Sequence, residues 1–123
     1  VVNEGRSTEE VLERVERKGG DPRTKMGKAG VLTFSEVLLP VDLAVRDWSR
    51  RDAAVADRLR RVDNTRMDYL RAQIATFRDG SSDVEALALL AFSLAIGNHL
   101  VAADHAGRSR TAVLRRAAEI LFD

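Results

Sequence analysis

The chain has 123 residues, no cysteine and a formal net charge of +1, with 20 Lys and Arg against 19 Asp and Glu. That length supports one domain with a real core. The missing cysteine excludes disulfides, thiolate metal sites and thiol nucleophiles, and the even charge balance argues against a protein that tracks phosphates, which usually carries a clear basic excess.

The amino terminus, VVNEGRSTEE, has neither the basic start nor the apolar run of a signal peptide and begins without methionine. It reads as a mature or trimmed fragment, and the absence of cysteine fits a reducing, cytoplasmic setting. Two prolines, and long apolar-periodic segments separated by Gly, Asp and Ser, predict an all-α fold. Ser7 and Glu10 have capping-box spacing, which places the first helix start at Ser7, with Val11, Leu12 and Val15 as its apolar stripe. Gly19-Gly20 ends it. Asp21-Pro22 opens a second segment to about Phe34, Asp as N-cap and Pro in the first turn. Gly27 and Gly30 each weaken a helix by roughly 1 kcal/mol relative to alanine, so this segment is expected to be bent, frayed or broken. After Pro40, VDLAVRDWSRR puts Val41, Ala44, Val45 and Trp48 on one face, with Trp48 pointing inward.

Asp52 caps one long helix to about Arg78, in which Val55, Leu59, Val62, Tyr69, Leu70, Ile74 and Phe77 recur at helical steps. The six arginines and three aspartates of RRDAAVADRLRRVDNTR, residues 50 to 66, are expected to form a solvated face with its own counter-ions, such as Asp57 with Arg61. Beyond Gly80 and Ser81-Ser82 lies DVEALALLAFSLAIGNHLVAADHAG, a helix expected to end at Gly107. From Ala86 to Ala103 only Ser93, Gly97, Asn98 and His99 are not apolar. About 20 apolar residues span a bilayer, but Asn98 and His99 near one end argue for a helix buried all round in a protein with no membrane partner. A small bundle cannot cover such a helix alone, which predicts an interface between copies. The last helix, SRTAVLRRAAEILFD, adds Val113, Ala117, Ile120 and Leu121 on one side, with Leu114, Ala118 and Phe122 extending the apolar surface. The expected architecture is an antiparallel bundle of about six helices, homodimeric through its last two. The interface candidates are Leu90, Leu94, Asn98, Val101, Val113, Leu114, Ala117 and Leu121.

His99 and His105 lie roughly 240° apart around a helix and cannot share a metal from one face. No metal-binding or phosphate-loop motif and no nucleophile with its base is present, so no metal, no cofactor and no catalytic residue is expected. His105, with Asp104 beside it, is expected at a helix C-terminus, and His99 within the apolar helix as a buried imidazole needing a partner. Met26, Phe34, Trp48, Met67, Tyr69, Phe92 and His99 are the candidates to line an apolar ligand cavity, each also readable as plain core.

Residues 41 to 71, VDLAVRDWSRRDAAVADRLRRVDNTRMDYLR, and residues 89 to 114, LLAFSLAIGNHLVAADHAGRSRTAVL, resemble the C-terminal domain of TetR-family transcriptional regulators. The likeness extends over nearly all of the chain from Ser7 onward. It implies a single C-terminal ligand-binding and dimerisation domain over residues 1–123, a four-helix dimer interface, an unknown small-molecule effector, and operator contact only through a helix-turn-helix missing from this chain. The expected activity is regulation, most simply repression, rather than catalysis. Two other classes compete: a stand-alone helical enzyme or carrier with His99 and Tyr69 as the polar groups of its site, and direct nucleic-acid binding by residues 50 to 66, which predicts salt-dependent affinity for generic DNA.

Overall fold

The computed structural model describes the backbone of residues 4–123 and the side chains from Thr8 onward. Six α-helices follow one another: α1 (Glu4–Lys18), α2 (Pro22–Thr33), α3 (Leu39–Ser49), α4 (Ala53–Ala75), α5 (Ser81–Gly97) and α6 (Arg110–Phe122). The described residues contain no strand, so the all-α class holds.

The first helix is already under way at Glu4, ahead of the expected start. Ser7 is therefore inside α1, where serine is only mildly unfavourable; its side chain, and with it the capping box, lies outside the described residues. Gly19 (φ +72°) and Gly20 (φ +112°) then turn the chain through left-handed backbone that a side chain rarely tolerates. Asp21 caps α2 as expected, its Oδ1 accepting from the Thr24 amide at 3.0 Å. That backbone bond, with a second from the Thr24 hydroxyl, holds the Asp21 carboxyl below the usual carboxylate range. Its contribution to stability is present above the unfolded carboxylate pKa and is lost as pH falls through the lowered folded value.

Contrary to expectation, α2 runs unbroken to Thr33 through both glycines. A Cβ on Gly30 would stand 3.6 Å from the Cβ of Ala95, so at this point α2 lies close against α5, and packing outweighs the local propensity. Around Gly27 there is open space. Replacing Gly27 with alanine should raise stability by about 0.5–1 kcal/mol, read as a higher urea midpoint at unchanged slope; a lower midpoint would contradict the unbroken helix.

The third helix is rotated from the expected setting. Trp48 is 53% exposed and Ala44 is also outside, whereas Asp42 is 1% exposed. A stripe of short apolar residues is outweighed by Asp42 and Arg46, which turn toward α4 and find partners there. Asp52 caps α4 through its Oδ1, 2.9 Å from the Ala54 amide and 3.2 Å from that of Val55. The core sits where α2, α4 and α5 meet, at Met26, Ile74, Leu87 and Ala88, with Leu121 and Phe122 of α6 against its edge. Arg71 on α4 grips Glu85 on α5 with two hydrogen bonds, fixing the pair across the short connection at 76–80.

The apolar fifth helix stops at Gly97, not Gly107. Its end is held by Arg110, at the start of α6: NH1 donates to the Asn98 carbonyl at 2.6 Å, NH2 to that of Val101 at 2.7 Å, and Nε to His105 Nε2 at 2.7 Å. One guanidinium thus gathers the carbonyl of the C-cap residue and that of Val101 in the turn beyond it, while backbone amides take those of Leu94, Ile96 and Gly97. Ser109 caps α6, its hydroxyl accepting from the Ala112 amide at 3.1 Å. Among the described residues no helix is long and apolar enough to cross a membrane.

Candidate ligand-binding cavity

A cavity of about 840 Å³ opens between α2, α5 and α6, with Arg66, Tyr69 and Leu70 of α4 and Leu12 of α1 also on its wall. Volumes of about 300–1,000 Å³ are usual for small-molecule sites. Small residues make room for it: Gly27 and Gly30 on α2, Ala91 and Ala95 on α5, and Ala118 on α6 all border the space.

Its aromatic wall is a cluster centred on Phe34, whose ring lies 6.2 Å from Phe92, edge to face at 64°, and 6.2 Å from the His99 imidazole. Guanidinium groups back this wall: Arg66 stands 5.4 Å from the Phe34 centroid and Arg46 5.8 Å from that of Phe92, within cation–π range. Where the end of α6 meets α2, Arg23 donates to the Phe122 carbonyl at 2.8 Å and lies 4.5 Å from the centre of the Phe77 ring.

Arg46 and Arg66 belong to a partly buried ionic network between α3 and α4. Arg46 donates from Nε to Asp42 Oδ2 at 2.7 Å and from NH1 and NH2 to the two Asp63 oxygens at 2.9 and 2.8 Å. Arg66 NH1 donates to Asp42 Oδ1 at 2.8 Å and to Asp63 Oδ1 at 3.1 Å. Burial works against the Arg46 charge, but the hydrogen bonds to Asp63 and Asp42 overcome it and hold the guanidinium protonated above its ordinary range. Arg66 and Asp63 therefore leave the solvated face expected for residues 50–66, because they sit opposite α3. Exposed arginines in that stretch do have local counter-ions, with Arg60 and Arg61 both on Asp57.

Of the seven residues expected to line a cavity, Met26, Phe34, Tyr69, Phe92 and His99 do so. Trp48 is on the outer side of α3, and Met67, two residues before Tyr69 and so on nearly the opposite side of α4, packs against the core. His99 is exposed rather than buried, because α5 has ended before it. Tyr69 is the polar feature of most interest: its hydroxyl is shielded from solvent and has no hydrogen-bond partner. Burial, aided by the nearby Glu16 charge, pushes the phenol pKa up and keeps the hydroxyl protonated as a donor.

The eight residues expected at a dimer interface divide. Leu90 is 49% exposed and Val101 54%, although Val101 lies past the end of α5 rather than on it. Leu94, Asn98 and Leu114 border the cavity, Leu121 packs on the core, and Val113 and Ala117 are half-buried on α6. Together with Leu89, Leu100 and Ile120, Leu90 and Val101 leave apolar surface bare on and beside the last two helices. His105 is not at a helix C-terminus but accepts from Arg110, and Asp104 beside it is exposed. The described residues contain no group of His, Asp or Glu placed to hold a metal ion.

No protein-family model matches the chain, and neither does any curated protein or solved structure.

Reading the residues alone missed the cavity's small side, where Gly27, Gly30, Ala91 and Ala95 face the space. A signal was present in the spacing of three and four residues between small side chains on α2 and α5, which allows two helices to run close and still leave room beside them. Arg66 had no signal of its own, since its partner Asp42 lies on another helix.

Proposed function

We propose that the chain is the effector-sensing and dimerisation domain of a TetR-like transcriptional regulator, most simply a repressor. It would act in the bacterial cytoplasm and reach operator DNA through a helix-turn-helix outside these 123 residues. The observation that carries this reading is one of position: α5 with its cap residue Asn98, and α6, supply Leu94, Asn98 and Leu114 to the cavity wall and leave Leu89, Leu90 and Ile120 bare to water. An apolar effector that fits the cavity better in one packing of these helices than another would shift the population between them. The bare surface, paired with its copy about a two-fold axis, would transmit that shift to the partner subunit.

Light scattering on the chain, whose mass is 13.6 kDa, should show a dimer at tens of micromolar, and Leu90→Glu should return it to a monomer by burying a charge in the shared surface. A wild-type chain that stays monomeric across that range overturns the regulator reading. If such a monomer still takes up an apolar probe, the cavity belongs to a carrier instead.

A further inference from the structure

We propose that the cavity takes an uncharged molecule with a ring system and one carbonyl-type acceptor, and that the Tyr69 hydroxyl is the donor that recognises it. The inference rests on the cavity being a ligand site and deepens that reading by naming the ligand's chemistry.

Three observations lead there. The lining carries three arginines, Arg23, Arg66 and Arg115, against three acids, Glu36, Glu119 and Asp123, so the wall has no net sign to select an ion. These charges are also engaged or peripheral: Arg23 holds the Phe122 carbonyl and pairs with Asp123, Arg66 lies in the network with Asp42 and Asp63, Glu119 accepts from Arg116, and Glu36 and Arg115 are exposed to water. Burying an ion that has no dedicated counter-charge costs far more than burying a neutral polar group. Next, Phe34 and Phe92 meet edge to face at one wall, and rings of this kind favour an aromatic occupant in offset or edge contact.

The third observation concerns Tyr69. Its side chain borders the cavity while its oxygen is sealed from water and without a partner. A buried hydroxyl left unsatisfied destabilises the protein that contains it. Turning the phenol into the cavity toward a ligand carbonyl sacrifices no existing hydrogen bond and gains one. A hydrocarbon of the same shape gains none, so the hydroxyl discriminates between the two.

Calorimetric titration of the full chain with three naphthalene probes tests this: 2-acetylnaphthalene, its hydrocarbon isostere 2-isopropenylnaphthalene, and 2-naphthoate. The ketone should bind about 5- to 10-fold more tightly than the isostere, the range of one net hydrogen bond, and the carboxylate should bind more weakly than the ketone. In Tyr69→Phe the ketone's advantage should vanish while the isostere's affinity stays within about twofold, since the lost group had no partner in the free protein. Tyr69 is also the chain's single tyrosine, so the carbon-13 resonance of its hydroxyl-bearing ring carbon can be followed in the unmutated protein. The ketone should shift it and the isostere should leave it nearly in place. Equal binding of ketone and isostere, an advantage that survives in Tyr69→Phe, an unmoved resonance, or tightest binding by the carboxylate would each overturn the proposal and leave the cavity's role as a ligand site standing. Binding of none of the three would overturn both.

Discussion

Asp42→Ala is expected to destabilise the fold by about 3–5 kcal/mol, the range found when one member of a buried ion pair is removed. Asp42 is the most buried charged residue described, at 1% exposure, and its two oxygens receive Arg46 Nε and Arg66 NH1 at 2.7 and 2.8 Å. Its loss leaves the Arg66 guanidinium, itself buried, with one carboxylate fewer, and removes one of the two ties between α3 and α4, that of Arg46 to Asp63 remaining. Urea denaturation should show a large fall in midpoint, against a change within about 0.5 kcal/mol for Asp47→Ala on the exposed face of the same helix. The double substitution Asp42→Ala with Arg66→Met should recover part of the loss, because it removes the stranded charge along with its partner. A small effect of Asp42→Ala would mean that the network is hydrated and that something else orients α3.

The second large effect is expected at Ile74. It is fully buried, at the centre of the cluster formed with Met26, Leu87 and Ala88. Ile74→Ala should cost about 2–5 kcal/mol, part from lost transfer free energy and part from the void left behind. Neighbours on three helices meet at this residue, so no single side chain can move in to fill the gap. The control is Val37→Ala, where 77% exposure predicts a change within about 0.5 kcal/mol. If the two substitutions shift the denaturation midpoint alike, the core lies elsewhere than between α2, α4 and α5.

Much of the chain's organisation was legible because it depends on neighbours in sequence. The glycines at 19 and 20, the caps at Asp21 and Asp52, and the break at Gly80 are local events, decided by backbone freedom and by a side-chain oxygen within reach of amides two or three residues on. Periodicity placed Val62 and Ile74 on the inner side of α4 for the same reason. Five of the seven residues expected to line a cavity do border it, since large apolar and aromatic side chains on inward faces are the material of such walls. Trp48 failed because a helix's rotation about its axis depends on what lies opposite, and α3 turned to bring Asp42 and Arg46 to α4; Met67 on α4 packs against the core instead.

The run after Gly80 is the clearest case of a pattern read too simply. Its apolar content predicts one helix to Gly107, yet the helix stops at Gly97 and Arg110 gathers the carbonyls beyond it. Gly97-Asn98 is a local pair of the kind that ends helices, but the arginine that gathers the carbonyls of Asn98 and Val101 is on α6, outside the segment. The all-round apolar character does have a consequence in the fold: Leu87 and Ala88 are buried, while Leu89 and Leu90 face water.

The residue order of this protein was sufficient for helix class, for most helix boundaries and for the inner face of α4, because caps, glycines and apolar spacing act over a few residues through the backbone itself. The ionic network of Asp42, Arg46, Asp63 and Arg66, the early end of α5 and the cavity beside Gly30 and Ala95 arose from assembly. Each of these joins groups from separate helices, and the free energy of bringing such groups together belongs to the packed arrangement rather than to any one segment.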